Sequence, residues 1–234
     1  MHSASTSPVM RQALDDALRP GGLSGTRQAL ERLPLPWGTT VLDAGCGPGK
    51  TANLLHETGC RVVGIDRDAR ILPAENALAD NLCFVQGDIC SLPLSADSLD
   101  AVFCECVLNL LPQPEAALAE FFRILRPGGR LYYSDMYARE KTGTLAECSY
   151  GTCLADPCDL DTLRRRLDMH GFIIYSEQDQ TKLLTETAGR LIFEFGSTAL
   201  FWQAVLGPMA GSGCSSRIQA LRPGYVYFVA QKKT

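Results

Sequence analysis

The chain has 234 residues and a formal net charge of −4, with a pI near 5.4. That length suits one domain with a sizeable core, and the acidic balance gives no electrostatic case for a nucleic-acid partner. No apolar run is long enough to cross a bilayer and the first twelve residues hold no apolar h-region, so we expect a single cytoplasmic domain over 1–234 without membrane association.

In chain order, a helical lead runs from about Pro8 to Leu18, followed by a loop over Arg19 to Gly25 that Pro20, Gly21 and Gly22 break. This lead has no strand to join, and two readings of it stand: residues 1–36 form an N-terminal helical segment that serves as a lid, or the lead is a disordered tail. A helix over Thr26 to Leu33 precedes the first strand. The apolar pair Val41-Leu42 then ends in Asp43 and enters Ala44-Gly45-Cys46-Gly47-Pro48-Gly49, with glycine at three alternate positions. Such glycines let the backbone turn tightly and approach a ligand, and the helix after them, Thr51 to Thr58, offers free N–H groups. A second strand closes on Gly64-Ile65-Asp66 and a third on Gln86-Gly87-Asp88. Three strands each closing on an acid form one edge of a parallel sheet, with a binding site at its carboxyl ends. Asp66 is placed to hydrogen-bond ribose hydroxyls and Asp88 to take the amino group of an adenine, which makes this a nucleoside site.

Ala44 to Thr51 (AGCGPGKT) also fits a relaxed phosphate-binding loop, with Lys50 and Thr51 in the lysine and threonine positions, although that loop wants glycine where Ala44 stands. A dinucleotide fingerprint needs glycine where the chain has Lys50. Charge separates the options: Asp43, Asp66 and Asp88 would repel a triphosphate and attract a cationic sulfonium amino acid. The expected ligand is S-adenosylmethionine.

A fourth strand ends on Cys104-Glu105-Cys106. Pro114 to Leu125 reads as a helix with Ala117, Leu118, Phe121 and Phe122 as its apolar positions, and Pro127-Gly128-Gly129 breaks into a fifth strand, Arg130 to Tyr137. A helix over Leu160 to His170 stops at Gly171, and a sixth strand covers Phe172 to Tyr175. One long helix spans Lys182 to Leu206, and Gly224 to Gln231 is a final alternating strand. Arg164-Arg165-Arg166 is the only basic run and reads as the solvated face of a helix. Ten cysteines are present but no CxxC pair, which argues against a zinc ribbon or finger. Cys60, Cys83, Cys90 and Cys214 read as packing residues. Cys104 and Cys106 at the end of the fourth strand, and Cys148, Cys153 and Cys158 at even spacing beyond the fifth, stand apart.

VLDAGCGPG, GIDRD, QGDICSLPLSADSLDAVF and ILRPGGRLYYSD together resemble the class I methyltransferases that use S-adenosylmethionine, over roughly residues 41–137. The resemblance implies an α/β, Rossmann-like doubly wound fold: a mostly parallel seven-stranded sheet with a C-terminal antiparallel hairpin. It also implies that Gly45, Gly47 and Gly49 face the methionine part of the cofactor and that Asp66 binds the ribose. Asp88 would take the adenine amino group while the backbone of Ile89 reaches the ring. Asp43, Cys46, Arg67 and Cys104 complete the expected cofactor-binding set. Cys46 departs from the usual loop and reads as a small packing residue.

Three segments are similar, in order and spacing, to arsenite methyltransferases: Cys106-Val107-Leu108-Asn109-Leu110-Leu111-Pro112, Leu131-Tyr132-Tyr133-Ser134-Asp135-Met136-Tyr137-Ala138 and Tyr150-Gly151-Thr152-Cys153-Leu154. In that family one cysteine after the fourth strand and one beyond the fifth hold trivalent arsenic beside the sulfonium methyl. By resemblance these are Cys106 and Cys153, the expected catalytic pair. Cys148 or Cys158 would be the third ligand or a resolving thiol. The family's N-terminal cysteines have no counterpart, since none precedes Cys46.

Thiolates are soft ligands, and arsenic(III) held by sulfur keeps a lone pair that needs no general base. An oxygen or nitrogen acceptor more often needs one, and Glu105, Asp135 and the less well placed His170 are the candidates. Expected partners are a small-molecule acceptor and a cellular thiol reductant. Three readings stand: methylation of a soft acceptor such as thiol-bound arsenic(III), ordinary small-molecule O-, N- or C-methylation with incidental cysteines, and a non-catalytic thiol-rich metal-binding or S-adenosylmethionine-sensing module.

Overall fold

The computed structural model describes residues 4–73, 80–140, 152, 154 and 157–233. Seven strands form one sheet: β1 (Thr40–Ala44), β2 (Arg61–Asp66), β3 (Leu82–Gln86), β4 (Leu99–Glu105), β5 (Leu125–Tyr137), β6 (Phe172–Asp179) and β7 (Gly224–Lys232), in the order β3-β2-β1-β4-β5-β7-β6. The first five strands pair in parallel, and β7 lies antiparallel between β5 and β6. From β1 the chain steps outward to β2 and β3, then returns to β4 on the other side of β1. The reversal opens a crevice at the carboxyl ends of β1 and β4, where open α/β sheets take their ligands.

Eight α-helices lie among the described residues: α1 (Pro8–Ala13), α2 (Ser24–Arg32), α3 (Lys50–Glu57), α4 (Pro114–Ile124), α5 (Leu160–Met169), α6 (Thr181–Phe195), α7 (Thr198–Leu206) and α8 (Pro208–Leu221). The central strands bury both faces, so their runs are apolar rather than alternating. On one face Leu118, Phe121 and Ile124 of α4 join Leu163 and Leu167 of α5 in a core with Leu42, Val102 and Tyr133. On the other, Ala29 of α2 and Ala52 and Leu55 of α3 close over Val41, Phe103 and Tyr132. A third cluster joins Met10 and Ala13 of α1 to Phe201, Trp202 and Cys214 of α7 and α8, and to Cys106 and Tyr225. None of the helices described is long and apolar enough to cross a membrane.

Several boundaries differ from the sequence expectation. The lead helix stops at Ala13, because Asp15, Asp16 and Leu18 take left-handed φ of 49°, 57° and 50°. The long helix expected over 182–206 is broken at Gly196, where φ is 85°. Residues 208–221 form α8, which no periodicity announced: Gly211, Gly213 and a run of serines are poor helix formers. Tertiary packing overrides them. A Cβ on Gly211 would stand 2.3 Å from the backbone nitrogen of Gln203, so α8 lies against α7 at a distance only glycine permits. The antiparallel pair at the end of the sheet is present, with β6 and β7 joined through residues 180–223 rather than a tight turn.

Candidate functional site

The crevice holds a cavity of about 770 Å³, within the range of small-molecule sites. Its wall comes from the loop after β1 (Gly45, Cys46, Gly47, Pro48), the ends of β2 and β3 (Asp66, Arg67, Asp88, Ile89) and the end of β4 (Glu105, Cys106, Val107). Met10, Asp16, Ala17, Leu18 and Arg19 of the N-terminal segment add another side.

Gly45 has φ 75°, and a Cβ there would stand 2.5 Å from Cγ2 of Val107. Gly45→Ala is therefore expected to destabilise the fold by about 3 kcal/mol, from left-handed strain and overpacking together. Val107→Ala should recover the packing part alone, and urea unfolding of the two single variants and the double variant reads the split. Gly47 donates its N–H to Asp66 Oδ2 at 3.0 Å, and the other Asp66 oxygen accepts from Asp68 N–H at 3.0 Å. Asp66 lines the cavity and each of its oxygens keeps acceptor capacity beyond these bonds, enough for two ribose hydroxyls. Asp88 is exposed and accepts from the N–H of Cys90 at 2.9 Å. Asp43 is buried, and its Oδ2 has no hydrogen-bond partner. An orphaned carboxylate oxygen in a cavity wall fits the ammonium of a methionine moiety, so the residues present fit S-adenosylmethionine.

Two members of the expected cofactor set do not line the cavity. Gly49 caps α3 in a left-handed conformation, with the ring of Phe84 where its Cβ would stand. Cys104 is fully buried in the core beside α4, and burial pushes its thiol well up. Cys104 and Cys106 would share a face in a regular strand. Cys106 instead has φ 58°, just past the end of β4, with its N–H bonded to Ser134 O at 2.8 Å. That turn moves its side chain out of the Cys104 core into the cluster of Met10, Met136 and Tyr225, at the cavity wall. A left-handed non-glycine residue is uncommon and marks a constrained position.

Cys148 and Cys153 lie outside the described residues. Cys158 is half-buried, accepts from Arg166 Nη1 at 3.6 Å and does not line the cavity, because residues 157–159 run back beside β5 to open α5. Among the described residues no three His, Cys, Asp or Glu side chains gather as a metal site. Cys90, read from sequence as packing, does line the cavity; its closeness to Asp88 was the available signal.

The general-base candidates are all committed to protein groups. Asp135 is fully buried and accepts from the N–H groups of Asn109 and Met136 at 3.0 and 2.9 Å. His170 Nδ1 lies 2.8 Å from Arg166 O at the end of α5. Glu105 forms an ion pair with Arg19 at 2.9 Å and accepts from the hydroxyls of Thr26 and Thr51, each at 2.7 Å. Thr51 is thereby spent inside the protein, and Lys50 pairs with Asp15 at 3.6 Å, against the phosphate-loop alternative. This buried network escaped the sequence because nothing local ties Arg19 to Glu105.

Burial, with Glu105 nearby, pushes the Asp43 carboxyl up to about 7, while Arg19 holds it down in part. Burial likewise lifts Asp135 to about 7. Both carboxyls bind protons more tightly folded than unfolded, so each contributes stability that is lost as pH rises from about 4 to about 7. Asp43→Asn is accordingly expected to gain on the parent across that window, by up to about 1.4 kcal/mol per pH unit. A flat stability difference between the two, measured by denaturant unfolding at several pH values, would contradict this.

Residues 42–133 match the family model for a methyltransferase domain. Among curated proteins, the arsenite methyltransferase of Aquipseudomonas alcaligenes is 36% identical over 157 residues, covering 58% of this chain and 44% of that one. The malonyl-[acyl-carrier protein] O-methyltransferase of Enterobacter lignolyticus is 33% identical over 109 residues, 47% of this chain and 43% of that one. The chain thus spans under half the length of these two relatives. Haemonchus contortus phosphoethanolamine N-methyltransferase 2, solved in complex with S-adenosyl-L-methionine, shares the fold with a TM-score of 0.75 at 21% identity, over 97% of this chain and 56% of that one. With the switch-point sheet order, the glycine loop and the acids at the strand ends, residues 42–133 are a methyltransferase domain of the class I, S-adenosylmethionine-dependent kind.

Proposed function

We propose that this protein is an S-adenosylmethionine-dependent methyltransferase whose acceptor is a small, soft nucleophile, thiol-bound arsenic(III) first among the candidates. The carrying observation is that Asp43, Asp66, Asp88 and the glycine loop border one cavity that also receives Cys106. Bound there, S-adenosylmethionine supplies an electrophilic methyl group on a sulfonium. Asp66 accepts from the ribose hydroxyls, Asp88 from the adenine amino group, and the free oxygen of Asp43 faces the ammonium. Met10, Leu18, Val107 and Leu110 give the cavity apolar wall that limits water.

Cys106 presents sulfur to the acceptor, and an arsenic centre on thiolates would attack the methyl carbon with its own lone pair as the methyl–sulfonium bond breaks and S-adenosylhomocysteine leaves, with no proton to remove. Cys153 and Cys148 would complete the ligand set, whereas Cys158, which does not line the cavity, stays outside it. A cellular thiol such as glutathione is the partner that keeps these sulfurs reduced. The arsenite methyltransferase relative supports this acceptor. The O-methyltransferase relative supports the second reading, an oxygen acceptor.

The test is transfer of labelled methyl from S-adenosylmethionine to arsenite in the presence of glutathione, beside calorimetry with S-adenosylhomocysteine. Methylated arsenic is the expected product. Tight S-adenosylhomocysteine binding without arsenic methylation would remove the soft acceptor and keep the methyltransferase. Absence of binding would remove both.

A further inference from the structure

The buried pair Arg19–Glu105 lies where the cavity wall meets the N-terminal segment. Arg19 Nη2 is 2.8 Å from Thr26 Oγ1 on α2, 2.8 Å from Thr51 Oγ1 on α3 and 2.9 Å from Glu105 Oε2 at the end of β4. Its Nη1 donates to Ala17 O at 3.3 Å. Each threonine hydroxyl accepts from Arg19 and donates to a different oxygen of Glu105. One guanidinium therefore joins the N-terminal segment to two helices and a strand. Side-chain exposure of the pair is 7% and 2%, so neither charge is solvated. Burial opposes the Arg19 charge, yet Glu105, with smaller contributions from Tyr225, Tyr227 and Cys106, carries its pKa above the ordinary value.

A buried pair of this kind is weak evidence for stability, because well-packed apolar residues often do as well. What it does provide is a fixed geometry. Just before Arg19, residues Asp15, Asp16 and Leu18 hold left-handed conformations, which persist only where the surroundings impose them. Leu18 Cδ1 lies 3.8 Å from the Cβ position of Gly47, so this strained stretch sits on the glycine loop.

We infer that Glu105 is a positioning residue: through Arg19 it latches residues 15–19 over the glycine loop as a strap that retains the nucleoside cofactor. The inference rests on the cofactor reading above and assigns Glu105 away from general-base duty, since both its oxygens are spoken for. Release of the cofactor then requires the strap to lift, and the latch sets how often it does.

The experiment follows dissociation of S-adenosylhomocysteine by stopped flow, together with hydrogen exchange of residues 15–19, in the parent and in Arg19→Met with Glu105→Leu. Replacing both charges by apolar groups of similar bulk leaves no unpaired ion, so the double variant should fold. It is expected to release S-adenosylhomocysteine about tenfold faster, because affinity changes of this kind fall mainly on the dissociation rate. Amides 15–19 should also lose protection. Equal dissociation and equal protection would overturn the latch.

If the double variant does not fold, Thr26→Val removes one bridge outside the cavity wall. It should then speed release about threefold by the same argument, and an unchanged rate overturns the proposal. Should the parent bind no S-adenosylhomocysteine, the cofactor reading fails. Exchange of residues 15–19 without ligand still decides the latch: protection equal to the parent's in the double variant, or in Thr26→Val where that variant is used, ends it.

Discussion

Cys106→Ser is expected to abolish methyl transfer to arsenite while S-adenosylhomocysteine binds as in the parent. Arsenic(III) prefers sulfur, and a serine oxygen at this position is a hard, protonated donor that will not replace a thiolate. Shape changes little, and the position already holds a left-handed φ of 58° with its N–H bonded to Ser134 O, both of which serine accommodates. The loss is thus chemical rather than structural. Cys83→Ser, at the exposed surface, should change neither property, whereas Cys214→Ser, fully buried, should cost some stability and leave transfer intact. Transfer by Cys106→Ser at the parental rate would eliminate the soft-acceptor mechanism and favour an oxygen or nitrogen acceptor.

Asp66→Ala should weaken S-adenosylhomocysteine binding by about 30- to 100-fold. Loss of charge-assisted bonds to the ribose accounts for about 2 kcal/mol, or about 30-fold. The remainder comes from the glycine loop, because Asp66 also holds the N–H groups of Gly47 and Asp68 at 3.0 Å each. Asp66→Asn keeps one acceptor oxygen and should fall between the two. Calorimetry on the three proteins reads the series, with ATP as the comparison ligand. The parent should bind ATP far more weakly, since Asp43, Asp66 and Asp88 repel its phosphates. ATP bound as tightly as S-adenosylhomocysteine would overturn the cofactor assignment.

What could be read from the chain was local. Alternate glycines, an acid at each of three strand ends and apolar runs bounded by breakers are short-range patterns, and they sufficed for the sheet, its parallel edge and one wall of the cavity. Asp43, Asp66, Asp88 and Ile89 all border the cavity for that reason. Gly49 and Cys104 were misplaced, because sequence adjacency does not say whether a residue faces the cavity or the core.

The sequence by itself determined the fold class and the chemical type of the cofactor end. Tertiary structure alone decided the rest. α8 exists because Gly211 lets it touch α7, against its own helix propensity. Cys106 parts from Cys104 because a left-handed turn cancels the strand's alternation. Arg19 reaches Glu105, Thr26 and Thr51 only when the N-terminal segment folds back over the sheet. The last two depend on contacts between residues far apart in the chain, Cys106 with Ser134 and Arg19 with Glu105, which no local pattern encodes.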